Sequence, residues 1–304
     1  MPTSPHADSK AQTVNGAAEI RLDTPHGQLA ALHWSVPEGT PVLCLHGWLD
    51  NAASFVPMSS HLHGMDLIAL DFPGHGRSYH RHPAAHYYFT DYLWDLDEAL
   101  DALGWRSCHL VGHSLGGAVA SVYAAAAPDR VRSLVMLDAL GPITASAESG
   151  TERLRKSLAS VRSEPRRIKN YPSLEVMMNM RQMNSAMDDT SARLICERAS
   201  QQMDGHFKWR TDPRLHWVSP VLLTENQVLD YLRHIEAPVL TITATPFAPY
   251  VGEEKYRIRS AAIHRARHEM RPGHHHFHMD QSETIAAEVL SFILEHEHPR
   301  GKQR

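Results

Sequence analysis

Five residues, Gly112-His113-Ser114-Leu115-Gly116, with Gly117 behind them, constrain this chain more than any other stretch. They follow a short apolar run carrying Cys108, Leu110 and Val111. They open an alanine-rich helical pattern over Ala118, Val119, Ala120, Val122, Tyr123 and Ala124 to Ala127. A strand that turns into a helix through Gly-x-Ser-x-Gly brings two backbones too close for a β-carbon, which is why glycines flank the serine. The serine then sits on a tight turn at the carboxyl end of a central strand, with its hydroxyl pushed clear of the sheet. The bare pentapeptide recurs by chance at ordinary glycine content. The apolar run before it and the small-residue helix after it carry the reading.

The rest of the chain supplies the sheet. Glu19 to Asp23 and Leu29 to Trp34 flank Pro25-His26-Gly27 and read as an edge hairpin. Val42 to Leu45, Leu67 to Leu70, Leu134 to Leu137, Pro238 to Ala244 and His264 to Met270 are short apolar or strand-like runs ending in turn signals. Between them the pattern predicts helices over Asn51 to His63, Thr90 to Leu103 (Leu93, Leu96, Leu100 and Leu103 on one face) and Thr284 to Leu294. Strands alternating with helices imply an α/β class with a mostly parallel sheet covered on both faces. From 144 to 225 continuous apolar runs vanish and Arg, Met and Ser dominate, which reads as an inserted helical cap. Met177, Met178, Met180, Met183 and Met187 are its expected core. The organisation is therefore a disordered leader over 1–18, a core from 19–143 and 226–298, and the cap between.

Composition narrows the partners. The 304 residues carry a net charge of −4 with signs interspersed, so no basic patch points to nucleic acid. No apolar run approaches the roughly 18 residues of a membrane span, and the polar N-terminus has no secretory core. Cys44 and Cys108 fall in buried strands and Cys196 stands far from both, as expected of a cytoplasmic protein.

A serine hydroxyl is a poor nucleophile until a base takes its proton, and that base needs a carboxylate to fix its tautomer. On this architecture the partners follow in the order serine, acid, histidine. Of 23 histidines, only the cluster from His274 to His278 lies on a loop just after the last strand. His275 is the first choice as base and His274 the second; zinc binding by the cluster is the rival reading. The segment after Pro238 to Ala244 has no carboxylate before Glu253 and Glu254. Asp138, at the end of the strand after the serine strand, is the first choice as acid, with Glu253 or Glu254 second. Asp71 opens a Pro-Gly-x-Gly turn and reads as a cap on that loop's amides. The backbone N–H groups of Leu115 and Trp48 are the expected oxyanion donors. His46, His113, Trp209 and Arg210 are the expected substrate-binding residues. No cofactor or metal is called for.

With these positions placed, the chain resembles the α/β-hydrolase fold superfamily over nearly its whole length. The residues that carry the resemblance are His46-Gly47, Asp71-x-Pro73-Gly74-His75-Gly76-x-Ser78, Gly112-His113-Ser114-x-Gly116-Gly117 and Gly273-x-His275-x-x-His278-Met279. The run Leu45-His46-Gly47-Trp48-Leu49-Asp50-Asn51-Ala52, with Leu137-Asp138, Tyr171-Pro172-Ser173-Leu174-Glu175 and Trp209-Arg210-x-Asp212-Pro213, is similar to the serine hydrolase-like branch. That branch is related to haloalkane dehalogenases and epoxide hydrolases. The resemblance implies a capped hydrolase with Ser114 as nucleophile, His275 as base and Asp138 as acid. Serine where dehalogenases and epoxide hydrolases use aspartate argues against both of those activities. The peroxisomal Ser-Lys-Leu tail expected of eukaryotic relatives is replaced here by Gly301-Lys302-Gln303-Arg304. The expected function is hydrolysis of small to medium carboxylic esters through an acyl-enzyme, by a monomer or homodimer. Carbon–carbon or amide bond hydrolysis with the same triad is the alternative. A non-catalytic ligand-binding protein is the third reading, because the later acid position is empty.

Overall fold

Runs of residues that are apolar at every position have nowhere to sit but the middle of a sheet covered on both faces. In the computed structural model, which describes residues 15–163, 169–247 and 252–297, they do so. The strands are β1 (Ala18–Thr24), β2 (Gly27–Trp34), β3 (Thr40–Leu45), β4 (Met65–Leu70), β5 (Cys108–His113), β6 (Val131–Leu137), β7 (Ser200–Met203), β8 (His206–Trp209), β9 (Val239–Thr245) and β10 (Ala266–Pro272). Eight of them form one sheet in the order β1-β2-β4-β3-β5-β6-β9-β10. From β4 to β10 neighbouring strands run parallel, and β2 is antiparallel to both β1 and β4. β5, which delivers Ser114, is central and buried along its whole length.

Successive side chains of a strand face opposite ways, so the sheet organises two cores. Leu43, Leu45, Leu70, Leu110 and Met136 pack against Val119 and Tyr123 of the helix Leu115–Ala126 and against Leu96 and Leu100 of the helix Asp91–Ala102. Val42, Cys44, Leu67, Val111, Leu240 and Ile242 pack on the other face against Ile285, Val289 and Phe292 of the helix Ser282–Glu295. Burying one such side chain stabilises by about 1.5–3 kcal/mol, a large share of a typical net stability.

Three expectations change. The helix over Asn51 to His63 is only a 3₁₀ turn, Ala52–Phe55, and one α-turn, Val56–Ser59, because Pro57 removes a donor and Gly64 ends the stretch in a left-handed turn. The last strand runs two residues later than predicted, to Pro272. Of the expected leader, 1–14 lie outside the described residues, while Ala17 is fully buried and Ala18 starts β1.

The segment between β6 and β9 holds the helices Gly150–Arg162, Leu174–Asn184 and Asp189–Ala199, together with the β7–β8 hairpin, which the helical propensity did not predict. Its neck is pinned: Ala145 N donates to Leu223 O at 3.0 Å and Thr144 Oγ1 donates to Glu225 Oε2 at 2.8 Å. Met177, Met178 and Met187 fill a small core with Tyr171, Ala192 and Cys196, whereas Met180 and Met183 are exposed. Arg198 fastens this layer to the sheet. Its buried guanidinium pairs with Asp71 at 2.8 Å and Glu19 at 2.7 Å, and a buried charge needs such partners.

Candidate active site

Ser114 occupies φ +50° and ψ −112°, a conformation that L-residues avoid. Its neighbours explain how the turn is held. A β-carbon on Gly116 would stand 2.0 Å from the Leu45 carbonyl oxygen, and one on Gly112 2.5 Å from the Gly116 backbone. Ser114 N donates to Leu137 O at 3.1 Å and Gly116 N donates to His46 O at 3.0 Å, tying the elbow to strands on either side.

Asp138, just past β6, also has positive φ, +46°. One carboxylate oxygen accepts from Ala244 N at 3.0 Å and the other meets His275 Nδ1 at 2.6 Å. His275 Nε2 lies 2.9 Å from Ser114 Oγ. A carboxylate accepts and does not donate, so Nδ1 carries the imidazole proton and Nε2 presents its lone pair to the serine hydroxyl. Asp138 is buried while the His275 side chain keeps 29% of its surface exposed, so the acid is shielded and the base can be reached.

The other predicted positions separate. Glu253 and Glu254 open the exposed first turn of the helix Glu253–Ser260, with no described contact to His275. His274 Nε2 pairs with Asp280 at 2.7 Å. Asp71 accepts from Ala52 N and Arg77 N, both at 2.7 Å, so it caps its loop as predicted and also receives Arg198.

His46 and His113, expected to bind substrate, are both fully buried. His46 Nδ1 donates to Gly47 O at 2.7 Å and its Nε2 accepts from Phe72 N at 3.0 Å, so both nitrogens are spent on the loops. His113 Nε2 donates to the His275 carbonyl at 2.7 Å. Burial lowers the pKa of His46 and takes His113 down to about 4, so each ring is neutral at pH 7. Trp209 and Arg210 are likewise engaged elsewhere. Trp209 stacks edge-on with Tyr171, and Arg210 Nε donates to Ser200 O at 2.9 Å while its carbonyl accepts from His80. Their described contacts hold the hairpin against the core rather than reach Ser114.

Leu115 begins its helix, so its N–H has no carbonyl one turn behind it. Trp48 follows β3 in a turn closed by Asp50 N to Gly47 O at 3.1 Å, with Leu49 at φ +63°. Its indole is half exposed and meets the His216 ring at 5.4 Å, so the inserted segment reaches this loop.

Sequence reasoning missed Asp50, His276 and Arg181. Ligand atoms of Asp50, His113 and His276 lie within 4.8 Å of one another, a spacing that could hold a metal ion. Arg181, however, is paired with the other Asp50 oxygen, and a divalent ion there would sit beside a fixed positive charge. Asp50 is the carboxylate that meets His276; it stands 226 residues from it, beyond any spacing rule.

Residues 40–192 match the model of the α/β hydrolase fold family. The chain is also 30% identical over 294 residues to a serine hydrolase-like protein of Danio rerio, covering 91% of this chain and 88% of that one. The chain belongs to the α/β-hydrolase fold family, in its serine hydrolase-like branch. Serine hydrolase-like protein 2 of Homo sapiens is 26% identical and covers 91% of this chain and 94% of its own. A solved structure of a hypothetical protein from Pseudomonas aeruginosa PAO1 superposes with a TM-score of 0.85 at 33% identity, covering 91% and 99% of the two chains. The thioesterase domain of the curacin biosynthetic pathway, at 23% identity and TM-score 0.80 over 91% of this chain and 99% of its own, shares the fold.

Proposed function

We propose that the protein is a serine hydrolase that cleaves carboxylic esters through an acyl-enzyme, with Ser114, His275 and Asp138 as its triad. The observation that carries this is the unbroken chain of hydrogen bonds from Asp138 to His275 at 2.6 Å and on to Ser114 at 2.9 Å. Ser114 Oγ attacks the acyl carbon while His275 Nε2 takes its proton. That proton then passes to the departing alkoxide, and water repeats the sequence to release the acid. Asp138 holds the imidazole in the required tautomer and offsets the imidazolium charge. The amides of Leu115 and Trp48 are the donors for the tetrahedral oxyanion, because both are backbone groups fixed before substrate arrives.

Residues 144–225 act as a cap that limits the substrate to small or medium acyl groups, a reading supported by the contact of His216 with Trp48. The contact of Asp138 with His275 supports catalysis over the non-catalytic reading, which rested on the vacant later position. Among the described residues no helix is long and apolar enough to cross a membrane. The three cysteines are free and buried, which supports a cytoplasmic setting. A monomer or homodimer completes the proposal.

Covalent labelling by a fluorophosphonate tests the nucleophile: Ser114 labels in the folded protein, and failure to label would overturn the catalytic reading. A panel of p-nitrophenyl esters, anilides and β-diketones tests the bond class. Turnover concentrated on the esters is the expected result, and preference for β-diketones or anilides would replace ester with carbon–carbon or amide cleavage.

A further inference from the structure

Of the buried carboxylates that the mechanism above leaves unused, Asp50 stands beside the triad. Asp50 is 2% exposed, and its surroundings are not those of an ordinary loop cap. One oxygen, Oδ2, lies 3.1 Å from His276 Nε2 and 3.6 Å from His113 Nδ1. A β-carbon on Gly47 would fall 2.7 Å from that same oxygen and 2.9 Å from His113 Nδ1, so the Gly47 backbone is packed directly on the pair. Oδ1 receives the guanidinium of Arg181, from the helix Leu174–Asn184 of the inserted segment. Gly47 precedes Trp48, His113 precedes Ser114 and His276 follows His275. One carboxylate therefore touches the chain neighbour of the proposed oxyanion donor, of the nucleophile and of the base.

The protonation pattern tightens the arrangement. His113 Nε2 must donate to the His275 carbonyl, since a carbonyl only accepts. Burial keeps that ring neutral, with its pKa near 4, which leaves Nδ1 a lone pair without a hydrogen-bond partner. His276 Nε2 is then the donor to Asp50 Oδ2, and Arg181 is the donor to Oδ1. Together Arg181 and His276 hold the Asp50 carboxylate well below the usual range against the cost of burial.

We infer that Asp50 is a positioning residue for the hydrolytic reaction. Its ion pair with Arg181 makes the geometry of Ser114 and His275 depend on the seating of the segment above them. The inference rests on the proposed triad for its kinetic consequence, though not for its structural one. An amide in place of the carboxylate offers one acceptor where two donors, Arg181 and His276, require two, so one of them faces an N–H. The histidine loop then loses its anchor. A misplacement of about 1 Å can cost on the order of a hundredfold in rate.

The test compares Asp50→Asn, Arg181→Met and Arg181→Lys with the wild type, each checked for folding by circular dichroism. Two readouts are used. The first is the rate of fluorophosphonate labelling, with kcat and KM on the best p-nitrophenyl ester. The second is the low-field proton resonance of His275 Nδ1–H, assigned by its loss in His275→Gln. Asp50→Asn and Arg181→Met lower kcat and labelling by roughly tenfold to a hundredfold, with KM changed less than about threefold, and they shift or broaden the low-field resonance. Arg181→Lys recovers most of the Arg181→Met loss. Should Asp50→Asn fail to fold, the Arg181 pair decides alone. Wild-type labelling rates and an unmoved resonance in Arg181→Met or in folded Asp50→Asn would overturn the inference. If the wild-type protein does not label at all, the hydrolase reading fails, and the resonance alone decides whether Asp50 positions His275.

Discussion

Single side chains here are decided by which lone pairs and protons can meet. Asp138 accepts from Ala244 N on one oxygen and from His275 on the other, so its amide analogue would present an N–H to one of two donors. Asp138→Asn is expected to lower kcat on the order of 10⁴-fold, the size of effect found for the analogous change in the chymotrypsin-type triad, with the fold intact; steady-state kinetics on the labelled-site concentration checks it. Glu253→Gln and Glu254→Gln leave kcat near wild type, and a large loss there would transfer the acid role. Ser114→Ala abolishes both turnover and fluorophosphonate labelling without unfolding, as followed by circular dichroism. At this scale the sequence was legible where chemistry coincides with a structural punctuation mark: Ser114 between glycines, Asp138 at a strand end, His275 after the last strand. It gave no sign that His46 and His113 are buried. Three of their four nitrogens bond backbone groups, and those of Phe72 and His275 come near only in the folded chain.

Elements are governed by clearance and by the partners of buried charge. The elbow exists because Gly116 passes the Leu45 carbonyl with no room for a methyl group. Gly116→Ala should therefore destabilise by about 3 kcal/mol or more, at the upper end of overpacking costs. Urea denaturation or loss of soluble folded protein would reveal it, and a stability within about 0.5 kcal/mol of wild type would contradict the clash. Arg198 is the corresponding feature of the inserted segment. Arg198→Met leaves Asp71 and Glu19 without their cation, and breaking a buried pair in this way costs about 3–5 kcal/mol. The same denaturation experiment reads it. Strands buried on both faces were visible as apolar runs, and the amphipathic helix Asp91–Ala102 as a spacing of leucines. The helix expected over 51–63 was not there, since Pro57 and the buried turn holding Asn51 override propensity; the β7–β8 hairpin was hidden because its residues pair with each other without an apolar pattern.

Across the whole molecule, buried histidines whose pKa is depressed set the response to acid. Burial lowers the pKa of His46, His75, His113 and His278, His75 to about 3 and His113 to about 4. Below their ordinary value of 6.5 the unfolded chain binds protons that the folded chain refuses, so stability falls as pH drops from about 6.5 toward 4. Asp95, pushed up to about 6 by burial, works in the opposite sense but is a single group. Asp50 and Asp71, both held below the usual carboxylate range, add to the loss only under more acid conditions. The denaturation midpoint should therefore be clearly lower at pH 5 than at pH 7.5. A midpoint that is flat or rising toward acid would show that these rings are not buried and neutral.

The sequence by itself determined the strand, elbow and helix around Ser114, the α/β layering and the chain order of the proposed triad. Each of these follows from sterics or periodicity over a few neighbouring residues. Only the tertiary structure decided which carboxylate meets His275, across 137 residues, and that Asp50 meets His276 across 226. Those choices depend on how strands are ordered in the sheet and where their connecting loops land. Hydrogen bonds act over about 3 Å in space, and no local spacing records a distance of that kind.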